Sequence, residues 1–148
     1  MYDTERLIHS LYEALGRRDG ASMAACYHPG ASFSDPVFTA LCGSEVGDMW
    51  RMLTSRAKDL RCEASDVEAD ALTGSANWVA HYTYSATGRA VVNRIHAQFR
   101  FRDGAIAEHV DAFNLWKWSA QAIGLPGTLL GWTPMVRGKV TSALEPLP

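Results

Sequence analysis

Much of what usually announces a function is missing from this chain of 148 residues. Cysteine is scarce: Cys26, Cys42 and Cys62 are odd in number and form no C-x-x-C pair. That signals neither a disulfide framework nor a zinc knuckle, and fits reduced thiols in the cytoplasm. Apolar runs are short, none approaching the roughly 18 residues of a membrane span. The opening MYDTERL passes directly into a charged amphipathic pattern, without the apolar core of a signal peptide. A cytoplasmic protein with no membrane partner is expected. Charge of one sign is lacking too, since 14 Lys and Arg against 16 Asp and Glu leave a net charge of -2. Such a balance exerts no long-range pull on nucleic acid, so no nucleic-acid partner is expected. There is no G-x-G-x-x-G, no P-loop, no internal repeat and no low-complexity segment. No cofactor is therefore expected.

What is there is the composition of an ordinary globular domain, 47% hydrophobic and 20% charged. A single domain over 1–148 is predicted. At this length a domain buries roughly 70% of its unfolded surface, enough for one core with room for a pocket.

The segment DTERLIHSLYEALGRRDG carries Leu7, Ile8, Leu11, Tyr12 and Leu15 at spacings of three and four, with Asp3 and Thr4 as capping candidates and Gly20 to close it. This predicts an amphipathic helix. A shorter helix over ASMAACY must stop before Pro29, and ASFSD then makes an extended piece ended by Pro36. In GSEVGDMWRMLTSRA, Val46, Trp50, Leu53 and Ala57 share a helical face, with Ser44 as a candidate N-cap. From residue 60 to 115 the period drops to two. LRCEASDVEAD, GSANWVAHYTYS, RAVVNRIHAQFRF and AIAEHVDAFNLW read as strands separated by Gly74, ATG and RDG. Hairpin separators predict an antiparallel meander. The tail KWSAQAIGLPGTLLGWTPMVRGKVTSAL is apolar but broken by glycine and proline, and predicts two short helices around a loop. Helices first and strands afterwards indicate an α+β domain with helices on one face of a curved sheet.

The strand AIAEHVDAF has no clean face. Simple alternation places Ala107, His109, Asp111 and Phe113 on one side and Ile106, Glu108, Val110 and Ala112 on the other. A histidine and a carboxylate two residues apart either form a buried structural pair or point into a cavity. An apolar cavity raises the pKa of a carboxylate and lowers that of a histidine, bringing both toward neutrality for acid-base work. His96 depends on register. A two-residue Asp103-Gly104 turn sets it opposite Asp111; one more loop residue puts Ala97 there and turns His96 away. The alternation Val91, Ile95, Ala97, Phe99, Phe101 favours the second arrangement, with Asn93 as a substitute for His96 on that other face, and a bulge could reconcile the two. Asp35, before Pro36, is either a turn-capping side chain or a pocket acid. His96, His109 and Asp111 could form a facial metal triad, but no local ligand motif supports one and no metal is expected. Tyr27, Trp50, Trp78, Tyr82 and Phe113 read as core aromatics, some of which could wall a ligand pocket. Trp116, Trp118 and Trp132 read as packing or dimer surface.

The order of elements, with RRDGASMAACYHPGASFSDPVF, GSEVGDMWRML, FRFRDGAIAEHVDAFNLWKWSAQAIG and GTLLGWTP, resembles the nuclear transport factor 2-like superfamily and within it the SnoaL-like branch. The resemblance implies a cone-shaped α+β fold in which three N-terminal helices pack on a strongly bent antiparallel sheet around one deep apolar pocket, usually in a homodimer. In SnoaL-like polyketide cyclases the acid-base carboxylate of the equivalent strand corresponds to Asp111. ASFSDPV is similar to ketosteroid isomerase, whose general-base aspartate falls on Asp35. The tyrosine of that enzyme falls near Leu11, with Tyr12 one residue off, and its second aspartate near His96 or Ala97. The resemblance thus implies cofactor-free acid-base chemistry, of isomerase, cyclase or dehydratase type, on a small hydrophobic carbonyl compound. Asp111 would be principal, with Asp35, His109 and, depending on register, His96 as its partners. Tyr27, Trp50, Trp78, Tyr82, Asn93 and Phe113 are the candidate ligand-binding residues. A noncatalytic ligand-binding protein, or a dimerisation module with the same cavity, is the alternative.

Overall fold

The computed structural model describes residues 2–124. Helix α1 (Asp3–Gly16) buries Ile8, Leu11, Tyr12 and Leu15, the stripe its sequence period predicts, and ends before Gly20, which opens α2 (Gly20–Ala24). A fully buried aliphatic side chain of this kind contributes about 1.5–3 kcal/mol. The N-cap of α1 is Tyr2, with no side-chain cap, whereas Asp19 caps α2 by accepting the Ser22 N–H. Helix α3 (Ser44–Arg56) starts from Gly43 rather than from a Ser44 cap. It packs closely on α2: a Cβ on Gly20 would lie 2.7 Å from the Arg51 Cα, and one on Gly47 2.8 Å from the Ala24 Cβ.

Strands β1 (Tyr27–Ser34), β2 (Leu41–Cys42), β3 (Arg61–Ala69), β4 (Thr73–Tyr84), β5 (Arg89–Arg102) and β6 (Ala105–Ala112) form one strongly curved sheet in the order β2-β1-β6-β5-β4-β3. The final described helix is α4 (Leu115–Ala122), capped by Asn114. Strands β3 to β6 make the expected antiparallel meander. The wholly antiparallel expectation needs one correction: β1 runs parallel to β6, because it returns from α2 rather than from a hairpin. Strand β1 also begins earlier than the ASFSD piece and includes Pro29. Proline fits because the ladder shifts between Tyr27 and Ser32, so no paired N–H is required there.

The turn reading holds at RDG, where Asp103 and Gly104 both have positive φ, as a two-residue hairpin of the primed type requires. It fails at Gly74, which lies inside β4 opposite Phe99. The β3–β4 turn is instead held by Asp70, whose Oδ1 accepts the Leu72 and Thr73 N–H groups. Of the two tail helices expected, α4 begins before Lys117, and the remainder, including Trp132 and GTLLGWTP, lies outside the described residues.

Candidate active site

The meander, α1 and α3 border a cavity of about 100 Å³ whose walls include Leu15, Trp50, Trp78, Ala80, Ile95 and Phe113. Two carboxylates, Asp35 and Asp111, open into this apolar space. Asp111 arrives there through a bulge. The two-residue turn pairs Arg102 with Ala105 and Phe101 with Ile106, but the ladder then shifts, so that Arg100 faces Glu108 and Ala97 faces Asp111. Ala107 is the extra residue. Its insertion brings Ile106, His109 and Asp111 onto the buried face, where simple alternation would set Ile106 opposite to the other two.

Asp111 is the end of a hydrogen-bonded relay. Trp50 Nε1–H donates to Tyr27 Oη at 2.9 Å. Tyr27 Oη lies 2.7 Å from His109 Nδ1, and His109 Nε2 lies 2.7 Å from Asp111 Oδ1. One assignment satisfies every atom: Tyr27 O–H donates to Nδ1, and the Nε2–H of a neutral imidazole donates to the Asp111 carboxylate. His109 is fully buried and packs edge-on against Phe33 at 4.9 Å between ring centroids. The imidazole therefore has one orientation. Burial, and to a lesser degree the Asp111 charge, pushes the Tyr27 hydroxyl well above its ordinary pKa, so it remains a donor.

Asp35 is held by backbone. Its Oδ1 accepts the Val37 N–H at 2.8 Å and the Phe38 N–H at 2.6 Å, and no hydrogen bond among the described residues engages Oδ2. The turn-capping and pocket readings both apply, one to each oxygen. Burial pushes its pKa up to about 7, and the Asp111 charge adds to the rise against the lowering effect of the two N–H donors. Asp35 is thus poised to exchange a proton near neutrality.

A model of the SnoaL-like domain family matches residues 8–109, more than half of the sequence. The chain belongs to the SnoaL-like family. No curated protein matches this SnoaL-like chain. Among solved structures it is similar to a provisionally assigned polyketide cyclase from Pseudomonas putida, with 21% identity, 82% of this chain and 98% of that one covered, and a TM-score of 0.69. IdmH from Streptomyces antibioticus, also provisionally a polyketide cyclase, gives 21% identity, 84% and 100% coverage, and a TM-score of 0.68. An epoxide hydrolase of LEH-like type from M. tuberculosis gives 17%, 90% and 95%, and 0.65. At these identities the likeness shows the shared fold.

Of the candidate residues in this SnoaL-like chain, Asp35, Asp111, Trp50, Trp78, Tyr82, Asn93 and Phe113 line the cavity. His109 and Tyr27 do not line it; they stand behind Asp111 as its support. His96 is elsewhere. The bulge turns it to the outer face, where its Nδ1 lies 2.7 Å from Asn77 Oδ1, so it joins neither a catalytic group nor a metal triad with His109 and Asp111. Among the described residues no three His, Cys, Asp or Glu side chains cluster as a metal site. Tyr12 lies on α1 against Trp78, with its hydroxyl buried and without a hydrogen-bond partner among the described residues, and does not line the cavity. Trp118, expected in packing or a dimer surface, lines the cavity and donates from Nε1 to Tyr82 Oη at 2.7 Å. Asn114, a capping residue, was the available signal that the helix carrying Trp118 starts at Leu115.

Proposed function

We propose that the protein is a cofactor-free acid-base enzyme acting on a small hydrophobic carbonyl compound, in an isomerisation, cyclisation or dehydration. The observation that carries this reading is the pair of differently held carboxylates, Asp111 and Asp35, facing one apolar cavity. Asp111 takes a proton from the carbon beside the carbonyl; the electron pair moves onto the carbonyl oxygen, which receives a proton from Asp35. Reversal returns a proton to carbon. The relay through His109 keeps the Asp111 carboxylate in place, and the apolar walls strengthen its interactions by excluding water.

The test is hydrogen-deuterium exchange at the α-carbon of 2-tetralone, a flat two-ring ketone, followed by proton NMR in deuterated buffer. Wild-type protein should accelerate exchange above buffer and Asp111→Asn should return it to near background. Equal exchange with the variant would defeat the assignment. The noncatalytic alternative is favoured by the same buried His109–Asp111 bond taken as purely structural; it predicts no exchange above buffer while 2-tetralone still binds.

The same proposal includes a homodimer and a cytoplasmic setting. Family resemblance supports the first, and light scattering should then give twice 16.2 kDa. The outer face of β5 presents Arg94, His96, Gln98 and Arg100, so a contact through that face would be largely polar. Free thiols at Cys26, Cys42 and Cys62 support the second. Among the described residues no helix is long and apolar enough to cross a membrane.

A further inference from the structure

Two polar side chains of the cavity have no task in the proton transfer. Asn93 on β5 is 8% exposed and faces the cavity, and its amide has no hydrogen-bond partner among the described residues. Tyr82 Oη accepts the Trp118 Nε1–H, which leaves the tyrosine's own proton without an acceptor among them. An amide that faces a largely apolar wall without a protein partner among the described residues is free to bond an occupant of the cavity.

The register locates this pair. Ala80 pairs with Asn93 and Tyr82 with Val91, which makes Asn93 and Tyr82 diagonal neighbours on the cavity face, within reach of a common atom. Asp111 faces Ala97, four residues along β5 from Asn93, a separation of roughly 13 Å along the strand. Asp35 belongs to the Asp111 side, because Ser34 pairs with Val110. The two carboxylates and the Asn93–Tyr82 pair line one cavity, and along β4 and β5 the paired Ile95 and Trp78 lie between them.

We propose that Asn93, with the Tyr82 hydroxyl beside it, recognises a second oxygen on the ligand, a carbonyl or hydroxyl remote from the reacting carbon. The ligand class is then a compact oxygenated ring system with oxygens on opposite sides. One engages the carboxylates and the other engages the amide. This rests on the reading above only in taking the cavity as a ligand site; it does not require the proton transfer.

The experiment compares 2-naphthol with 2-methylnaphthalene, equal in shape but differing by a hydroxyl, by equilibrium dialysis. Wild-type protein should prefer the naphthol by about 10-fold or more. Asn93→Leu, of nearly the same size, should abolish the preference while binding the methyl compound at least as well, and Asp111→Asn should retain it. Asn93→Ala serves the same purpose should leucine impair folding, which a thermal melt reports. An unchanged preference in the Asn93 variants, no preference in the wild type, or its loss in Asp111→Asn would each overturn the inference. Failure of 2-tetralone exchange with this preference intact would remove the catalytic reading and leave the recognition site standing.

Discussion

Asp111 and Asp35 share a cavity but are held by different parts of the molecule. Asp111 sits on a central strand and is gripped by a buried imidazole, itself fixed by Tyr27 and Trp50 from β1 and α3. Asp35 sits beyond the end of β1 and is gripped by two backbone N–H groups of the turn that follows. The first arrangement depends on side chains and can be dismantled one residue at a time. The second is a property of the chain path, and its electrostatics are set mainly by burial. Pairs of titratable groups whose surroundings treat them differently are how a site separates a proton donor from a proton acceptor.

The comparison is broken most severely at His109. His109→Ala removes a fully buried ring and leaves Tyr27 and Asp111 without their shared partner, so it should cost about 3–5 kcal/mol in chemical denaturation. Asp111→Asn can still accept the His109 N–H through its amide oxygen, so its melting temperature should change little, whereas 2-tetralone exchange should fall by about 10²-fold or more. A large loss of stability with exchange retained would reverse the roles assigned to the two residues.

Asp35→Asn sharpens the contrast through its pH dependence. With a pKa of about 7 in the fold against an ordinary value of 3.8, the native state binds more protons than the unfolded chain between those limits. Stability from Asp35 is therefore present at low pH and lost as pH rises toward 7. The asparagine keeps the two backbone bonds and carries no charge. It should stabilise the protein by about 1–3 kcal/mol at pH 8, and the melting temperature should fall less steeply between pH 5 and 8 than in wild type. The smallest effect belongs to His96→Ala on the outer face, expected within about 0.5 kcal/mol and without change in exchange.

The helix α1 and the meander were legible because their signals are local and periodic: a stripe of apolar residues at helical spacing, and turn residues between alternating segments. The presence of Asp111 and Asp35 at one cavity was legible only through resemblance to known families. Alternation gave His109 and Asp111 a common face, but could not place Ile106 with them, because the bulge at Ala107 leaves no mark in the local pattern. The same bulge decided His96, for which both register alternatives were partly right: the turn has two residues and the strand nevertheless shifts. The parallel pairing of β1 with β6 joins segments far apart in sequence, so no short-range pattern announces it. Tyr27 was read as a possible pocket wall, yet its hydroxyl bonds His109 behind the cavity. That role depends on three elements meeting and is not a property of any one of them.

The division of labour rests on Asp35 carrying an exchangeable proton near neutral pH, and infrared titration of the protonated-carboxyl band tests it most directly. Wild-type protein should show a band that disappears with a midpoint near pH 7, absent in Asp35→Asn. In Asp111→Asn the midpoint should move down, because the neighbouring negative charge that helps hold the proton on Asp35 is gone. A midpoint at the ordinary carboxylate value, or a band that survives Asp35→Asn, would contradict the account.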